Sequence, residues 1–213
     1  MKNINTKAYW EKRFQNDWEK RNGRKQTENF AKSQSKYFKF DSSFNGVILD
    51  FGCGLGDAMP VYKEFFPKAK LIGIDISTIA IAKCKEKYGD IAEFLAGDIT
   101  IIPEVDIIIA SNVLEHLDND IEIAKKLLKN CNQLYVTVPY KEHPLSTEHI
   151  NYYDENYFSM IGSSESRIFY SAGWTEYGAR LIKLRIMNLL RLFFRQPLKK
   201  RSQQIMFYFS KKA

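Results

Sequence analysis

Apolar residues recur along this chain with two different periods, and the change falls near residue 45. In "KAYWEKRFQNDWEK" (7–20), Tyr9, Trp10, Phe14 and Trp18 are spaced as on one helical face. A second polar-aromatic helix is expected over about 26–40. From residue 46 onward, short apolar runs alternate with longer mixed segments. Strands are predicted at "GVILD" (46–50), "KLIGIDI" (70–76), "EFLAGD" (93–98), "VDIIIAS" (105–111) and "QLYVTV" (133–138). Helices are predicted at 57–66, stopped by Pro67, at 78–88, ending near Gly89, and at 119–130. Strands that are apolar without alternation, separated by helices, imply a parallel sheet covered on both faces. The fold class is therefore α/β, a doubly wound sheet, and its ligands are expected beyond the carboxyl ends of the strands.

Composition narrows this picture. The 213 residues predict a single domain, and 45% hydrophobic content is enough for a core. No apolar run is long enough to span a bilayer. The opening "MKNINTKAYWEKRF" is too polar for a secretory signal, so a cytoplasmic location is expected. Cys53, Cys84 and Cys131 are far apart and form no CxxC pair, so neither a disulfide framework nor a metal site is expected. Cys53 reads as a small residue that fits its turn. Charge is uneven: residues 1–45 carry +6, 46–178 carry −9 and 179–213 carry +10. Basic ends of this kind suit nucleic acid, an anionic metabolite or a membrane surface, or are simply solvated.

The candidate chemistry begins at "VILDFGCGLGD" (47–57). A P-loop would need Lys-Ser or Lys-Thr after its last glycine, which this turn lacks. A dinucleotide turn would need glycine where Asp57 stands, and that acid would face a pyrophosphate at a helix N-terminus. The pattern present is Asp50, Gly52, Gly54, Gly56. An acidic strand end beside a bare backbone suits S-adenosylmethionine, which has a sulfonium and an ammonium but no phosphate. The second strand ends at Asp75, placed to accept both hydroxyls of a ribose. The third ends at Asp98, placed to accept from an adenine amino group, with Ile76 and Ile99 on either side of the ring. Taken singly, each acid also reads as a helix or turn cap.

The motifs "ILDFGCGLG", "LIGIDIS", "FLAGDI" and "DIIIASNVLEHL" resemble those of class I S-adenosylmethionine-dependent methyltransferases, closest to the small-molecule, type 11-like branch. The resemblance covers about residues 46–140. It implies a Rossmann-like sheet of seven strands, mostly parallel with the last antiparallel, for which "QIMFYFSKK" (204–212) is the natural final strand. It also implies that Asp50 and Gly52 to Gly56 lie by the methionine part, with Asn112 and Val113 lining that end, Asp75 by the ribose and Asp98 by the adenine. Members that methylate base or amide nitrogens carry Asn/Asp-Pro-Pro-Tyr after the fourth strand. Ser111-Asn112-Val113-Leu114 stands there instead, which argues against nucleic-acid bases.

The chain then divides into a helical lid (1–45) and a core (46–213) with an acceptor loop at about 139–160. His116 and His149 are the candidate catalytic residues. His149 reads either as a base or acceptor contact, or as a loop-ordering hydrogen bond. Tyr140, Tyr152 and Tyr153 are candidate pocket walls, and Tyr9, Arg24 and Gln26 candidate acceptor contacts. The N-terminal segment also resembles that of methyltransferases in surface-polysaccharide pathways, including those acting on a capsular phosphoramidate. Residues 181–194 are expected to form a strand followed by a helix packed on the core, with peripheral membrane contact as the alternative. The expected function is metal-independent methyl transfer, preferably to oxygen, on a small polar, anionic acceptor such as a polysaccharide precursor. S-adenosylhomocysteine would be the second product. The rivals are an RNA or protein methyltransferase and a noncatalytic S-adenosylmethionine-binding module.

Overall fold

Val47–Phe51 (β1) is the inner strand from which the sheet grows in both directions. The computed structural model describes residues 4–162, 165–170, 179–199 and 202–211. Lys70–Asp75 (β2) and Val105–Ser111 (β4) flank β1 in parallel, so that Leu49 lies between Ile72 and Ile108. Glu93–Ala96 (β3) pairs with β2 and Cys131–Pro139 (β5) with β4, again in parallel. Gln203–Ser210 (β7) runs antiparallel to β5, and Glu165–Tyr170 (β6) forms the edge beyond it, antiparallel to β7. The order is β3-β2-β1-β4-β5-β7-β6. The chain leaves β1 in one direction and returns to β4 on its other side, which opens a crevice at the carboxyl ends of these two strands.

Both faces of the central strands are buried, as continuous apolar runs require. Ile48, Ile107, Ile109 and Tyr135 enter one core, while Leu49, Ile108, Ala110, Leu134 and Val136 enter the other. Each such aliphatic side chain contributes about 1.5–3 kcal/mol on full burial. Helices Met59–Phe65 (α3), Thr78–Tyr88 (α4) and Asp120–Lys129 (α5) cover the faces. Ser77 caps α4, its hydroxyl accepting from the Ala80 amide at 3.1 Å.

The N-terminal part departs from one continuous helix. Lys7–Lys12 (α1) widens into a π-helical turn at Arg13–Asp17, then a 3-10 turn at Glu19–Arg21, before Gly23–Ser35 (α2) begins. Asn22 reverses the chain there in the left-handed region, at φ 58°. The aromatic face holds as predicted: Phe14 is buried with Leu55 and Ala80, and Trp10 and Trp18 pack beside it.

Two C-terminal expectations fail. β6 was not expected, because an edge strand with only Phe169 buried shows no apolar alternation. Residues 181–194 form no strand; Ala179–Phe193 (α6) is one helix. Its Leu, Ile, Met and Arg residues are good to fair helix formers. Nor is it packed on a core. Ile182, Leu189 and Phe193 are 60%, 68% and 81% exposed. Among the described residues no helix is long and apolar enough to cross a membrane.

Candidate active site

The glycine turn is fastened to the end of β2. Gly52 and Cys53 donate their amides to the Ile74 carbonyl, at 2.7 and 3.0 Å. Gly54 donates to Asp75 Oδ2 at 2.9 Å, while Asp75 Oδ1 accepts from the Ser77 amide at 2.8 Å. Gly52, Gly54 and Gly56 have φ of 75°, 54° and 70°, a region costly for any residue with a Cβ. At Gly52 a Cβ would also run into Val113. The result is a turn whose backbone lies bare against a cavity of about 1030 Å³, opening at the carboxyl ends of β1 to β5.

The predicted cofactor-side residues Asp50, Gly52, Gly54, Asp75, Ile76, Asp98, Ile99, Asn112 and Val113 all border this one cavity. Gly56 does not; it turns the chain into α3 against Cys84 and Phe94. Asp50 is buried, and the charge acting on it is the like charge of Asp75. Burial, together with the nearby Asp75 charge, pushes its carboxyl up to about 8. Burial also raises Asp75, against the two amides that hold its charged form. Asp98 is exposed and caps the Ile99–Ile101 turn through the Thr100 amide and hydroxyl, at 2.9 and 2.7 Å, so its capping role and its place at the cavity coexist.

Asp57, the residue that disfavoured a pyrophosphate in the sequence, turns away. It is 1% exposed and accepts from Lys87 Nζ at 3.0 Å and the Tyr88 hydroxyl at 2.9 Å. Of the two acids in residues 47–57, Asp50 is the one that borders the cavity. Cys53 is a buried thiol pushed up by its hydrogen bond with Cys84 and by burial, in keeping with a packing residue.

At the other end of the cavity, His116 and His149 come together with ring centroids 5.0 Å apart. His116 Nδ1 lies 2.9 Å from the Glu148 carbonyl, which can only accept, so the hydrogen is on Nδ1. Burial lowers His116 to about 4. His149 Nδ1 is hydrogen-bonded to Glu142. Burial lowers His149, but that hydrogen bond and the charges of Glu115, Glu142 and Glu148 outweigh it, and the net shift is upward. Close to both rings lies Glu115, 1% exposed, with both carboxylate oxygens buried and unpartnered among the described residues. Burial pushes Glu115 up to about 7.

The predicted acceptor contacts divide. Gln26 and Tyr140 border the cavity. Tyr9 is not among its lining residues; its hydroxyl donates to Glu148 Oε1 at 2.5 Å, behind His149. Arg24 lies outside, paired with Glu28 at 2.9 Å on the exposed side of α2. Tyr152 is 46% exposed and does not line the cavity. Tyr153 is fully buried, donating to Asp120 Oδ2 at 2.8 Å and packing on Phe158, because its ring faces α5 rather than the cleft. Sequence reasoning missed Glu115, Glu142, Glu148 and Arg13. A signal for three of them was present: each histidine of the chain is preceded by glutamate, at 115–116, 142–143 and 148–149.

Comparison with known proteins agrees with this geometry. Residues 48–135 match the family described as "Methyltransferase domain". The matched segment, 48–135, is thus a methyltransferase domain, and it holds the glycine turn, Asp75 and Asp98. A 91-residue stretch is 31% identical to the malonyl-[acyl-carrier protein] O-methyltransferase of Anoxybacillus flavithermus, covering 41% of this chain and 35% of that protein. The chain thus matches about a third of the curated relative's length. Among solved structures, the methyltransferase fold superposes on a chain of the Haloferax volcanii complex of the Trm112 methyltransferase activator with TM-score 0.70 and 14% identity, over 96% of this chain and 98% of that one. It also superposes on the plantazolicin methyltransferase BpumL bound to S-adenosylhomocysteine, with TM-score 0.56 and 19% identity over 96% and 95%. A third match is Haemonchus contortus phosphoethanolamine N-methyltransferase 2, with TM-score 0.62 and 12% identity over 96% and 60%. The BpumL structure holds S-adenosylhomocysteine, and the Haemonchus contortus structure holds S-adenosylmethionine.

Proposed function

We propose that this chain transfers a methyl group from S-adenosylmethionine to an oxygen of a small polar acceptor. The observation that carries this reading is the convergence of three strand ends, at the glycine turn, Asp75 and Asp98, on one cavity whose far end is walled by His116 and His149. The residues fit the cofactor. Asp50 offers a buried carboxylate without a counter-charge, which a cationic ligand would supply, and the turn at Gly52 and Gly54 leaves backbone bare for close approach. In this reading Asp50, Gly52, Gly54, Asn112 and Val113 hold the methionine part, Asp75 the ribose, and Asp98, Ile76 and Ile99 the adenine. S-adenosylmethionine supplies an already activated methyl group. The protein's work is to align the acceptor and exclude water.

The N-terminal segment acts as a lid, with Trp10, Phe14 and Trp18 forming one wall of the cavity. The acceptor sits beside His149, Tyr140 and Gln26. Sugar nucleotides and phosphoramidates are the acceptor classes we favour. The test is calorimetry with S-adenosylhomocysteine and NAD, followed by turnover assays on those acceptors. Micromolar binding of the adenosyl ligand and none of NAD is expected, and the reverse would overturn the cofactor assignment. His149→Ala should lower turnover by about 10²–10⁴-fold, or raise the acceptor KM, with S-adenosylhomocysteine affinity unchanged. Tight cofactor binding with no turnover on any acceptor would make the chain a binding module instead.

We also propose that α6 rests on an anionic lipid surface. Ile182, Ile186, Leu189, Leu190 and Phe193 share one exposed apolar face, and Lys183, Arg185, Arg191, Arg195 and Lys199 supply positive charge with no acid between residues 179 and 199.

A further inference from the structure

We infer that Glu115, His116 and His149 form a binding site for one divalent first-row transition ion, with open coordination positions facing the acceptor. This rests on the methyltransferase reading for its function, but not for its geometry. One donor atom from each of the three side chains lies within 4.8 Å of the other two. An ion with bonds of about 2.1 Å holds neighbouring donors about 3 Å apart, so a small closure of the three side chains completes the site.

An independent observation is the state of Glu115. It is 1% exposed, borders the cavity, and neither carboxylate oxygen has a hydrogen-bond partner among the described residues. Two orphaned oxygens on one buried side chain are costly, and a cation resolves both at once. The histidines are prepared in the same sense. Their Nδ1 atoms are engaged, by the Glu148 carbonyl for His116 and by the Glu142 carboxylate for His149. On a neutral ring that arrangement leaves the Nε2 lone pair for a ligand, and an ion would displace the proton from His149. Metal-bound histidines are oriented by this kind of partner on the second nitrogen. The loop is tied to the site as well, since the Ile150 amide donates to the Glu115 carbonyl at 2.9 Å.

Two imidazoles and one carboxylate suit manganese, iron, cobalt or zinc better than magnesium or calcium. Three protein ligands leave room for oxygens of the acceptor. The site also resolves a difficulty of charge. The acceptor end carries Glu115, Glu142 and Glu148, which would repel an anionic acceptor, and a dication there makes a phosphorylated or phosphoramidate acceptor acceptable. The sequence alone, lacking cysteine pairs, had pointed to a metal-independent enzyme.

The test is titration of chelator-treated protein with MnCl2, CoCl2 and ZnCl2 by calorimetry, with visible absorption recorded for cobalt. One ion per chain is expected. Glu115→Gln and His149→Ala should each weaken it at least 10–100-fold, and Glu142→Gln, which acts through His149, about 10–100-fold. Far-ultraviolet circular dichroism and S-adenosylhomocysteine affinity are read on the same samples. The absence of any bound ion, or binding that survives both Glu115→Gln and His149→Ala, overturns the site. Loss of the ion in variants that remain folded and still bind S-adenosylhomocysteine supports it. An ion bound by a chain with no affinity for S-adenosylhomocysteine would keep the site and overturn the methyltransferase reading.

Discussion

Arg13 and Glu148 form an ion pair at 2.8 Å, with side chains only 10% and 18% exposed, that joins the N-terminal segment to the loop after β5. Glu148 also accepts from the Tyr9 hydroxyl, and its carbonyl accepts from Asn5 Nδ2 at 2.8 Å as well as meeting His116. One residue thereby links the N-terminal wall of the cavity to the histidine cluster. Arg13→Ala should cost about 1.5–3 kcal/mol, the range for hydrogen bonds to charged groups. It should also speed amide hydrogen exchange across residues 7–17. Urea unfolding and exchange rates both equal to wild type would show that the pair contributes nothing.

Gly52→Ala should destabilise the fold by at least about 1–2 kcal/mol, from its left-handed backbone alone. The added Cβ meets Val113, so part of the loss is steric. Combining it with Val113→Ala should relieve that part only, and the double variant should lose less than the sum of the two singles. Strict additivity in denaturant melts would remove the steric explanation.

Asp75→Ala should weaken S-adenosylhomocysteine binding by roughly 2–3 kcal/mol, on the scale of hydrogen bonds to a charged acceptor. Because its two oxygens already hold the Gly54 and Ser77 amides, the ligand-free protein should melt at lower temperature as well. A lowered melting temperature with unchanged calorimetric affinity would leave Asp75 a brace for the turn and nothing more.

Asp50 makes stability fall as pH rises. Its folded carboxyl titrates near 8, whereas an exposed aspartate titrates near about 3.9. Between these values the folded chain keeps a proton that the unfolded chain has lost. The contribution is therefore full below about pH 4 and lost by about pH 8. Asp50→Asn should flatten this slope. A cationic ligand favours the ionised form, so S-adenosylmethionine binding near pH 7 should release up to one proton. Calorimetry in buffers of different ionisation heat measures that number, and a value of zero would mean that Asp50 does not face the ligand's charge.

Vesicles containing phosphatidylglycerol should co-sediment with the protein, while phosphatidylcholine vesicles should not. Leu189→Glu combined with Phe193→Glu should abolish the interaction without lowering S-adenosylhomocysteine affinity. Concentration-dependent dimers that the same substitutions disrupt, with no vesicle binding, would assign α6 to a contact between copies of this chain.

The strand-helix alternation and the half of the cavity at the glycine turn were legible in the chain because they depend on local order. A glycine triplet with φ above zero and an acid closing each of three strands are written in consecutive residues, and a parallel sheet aligns those ends whatever else the chain does. The histidine end of the cavity was not legible in that way. Glu115, Glu142, His149 and Arg13 are separated by up to 136 residues. They meet only because β4 and β5 lie side by side and the N-terminal segment folds back across their ends. Tyr153 and Tyr140 show the same limit from the other side. Both are tyrosines of one loop, yet only the packing against α5 sends the first into the core and leaves the second at the cavity. The C-terminal region was decided last, since an edge strand and an exposed apolar helix both lack the burial that stamps a period on the sequence. What the chain's order determines is where a strand ends. Which side chains share a site depends on elements distant in sequence arriving together, and that is a property of the tertiary structure alone.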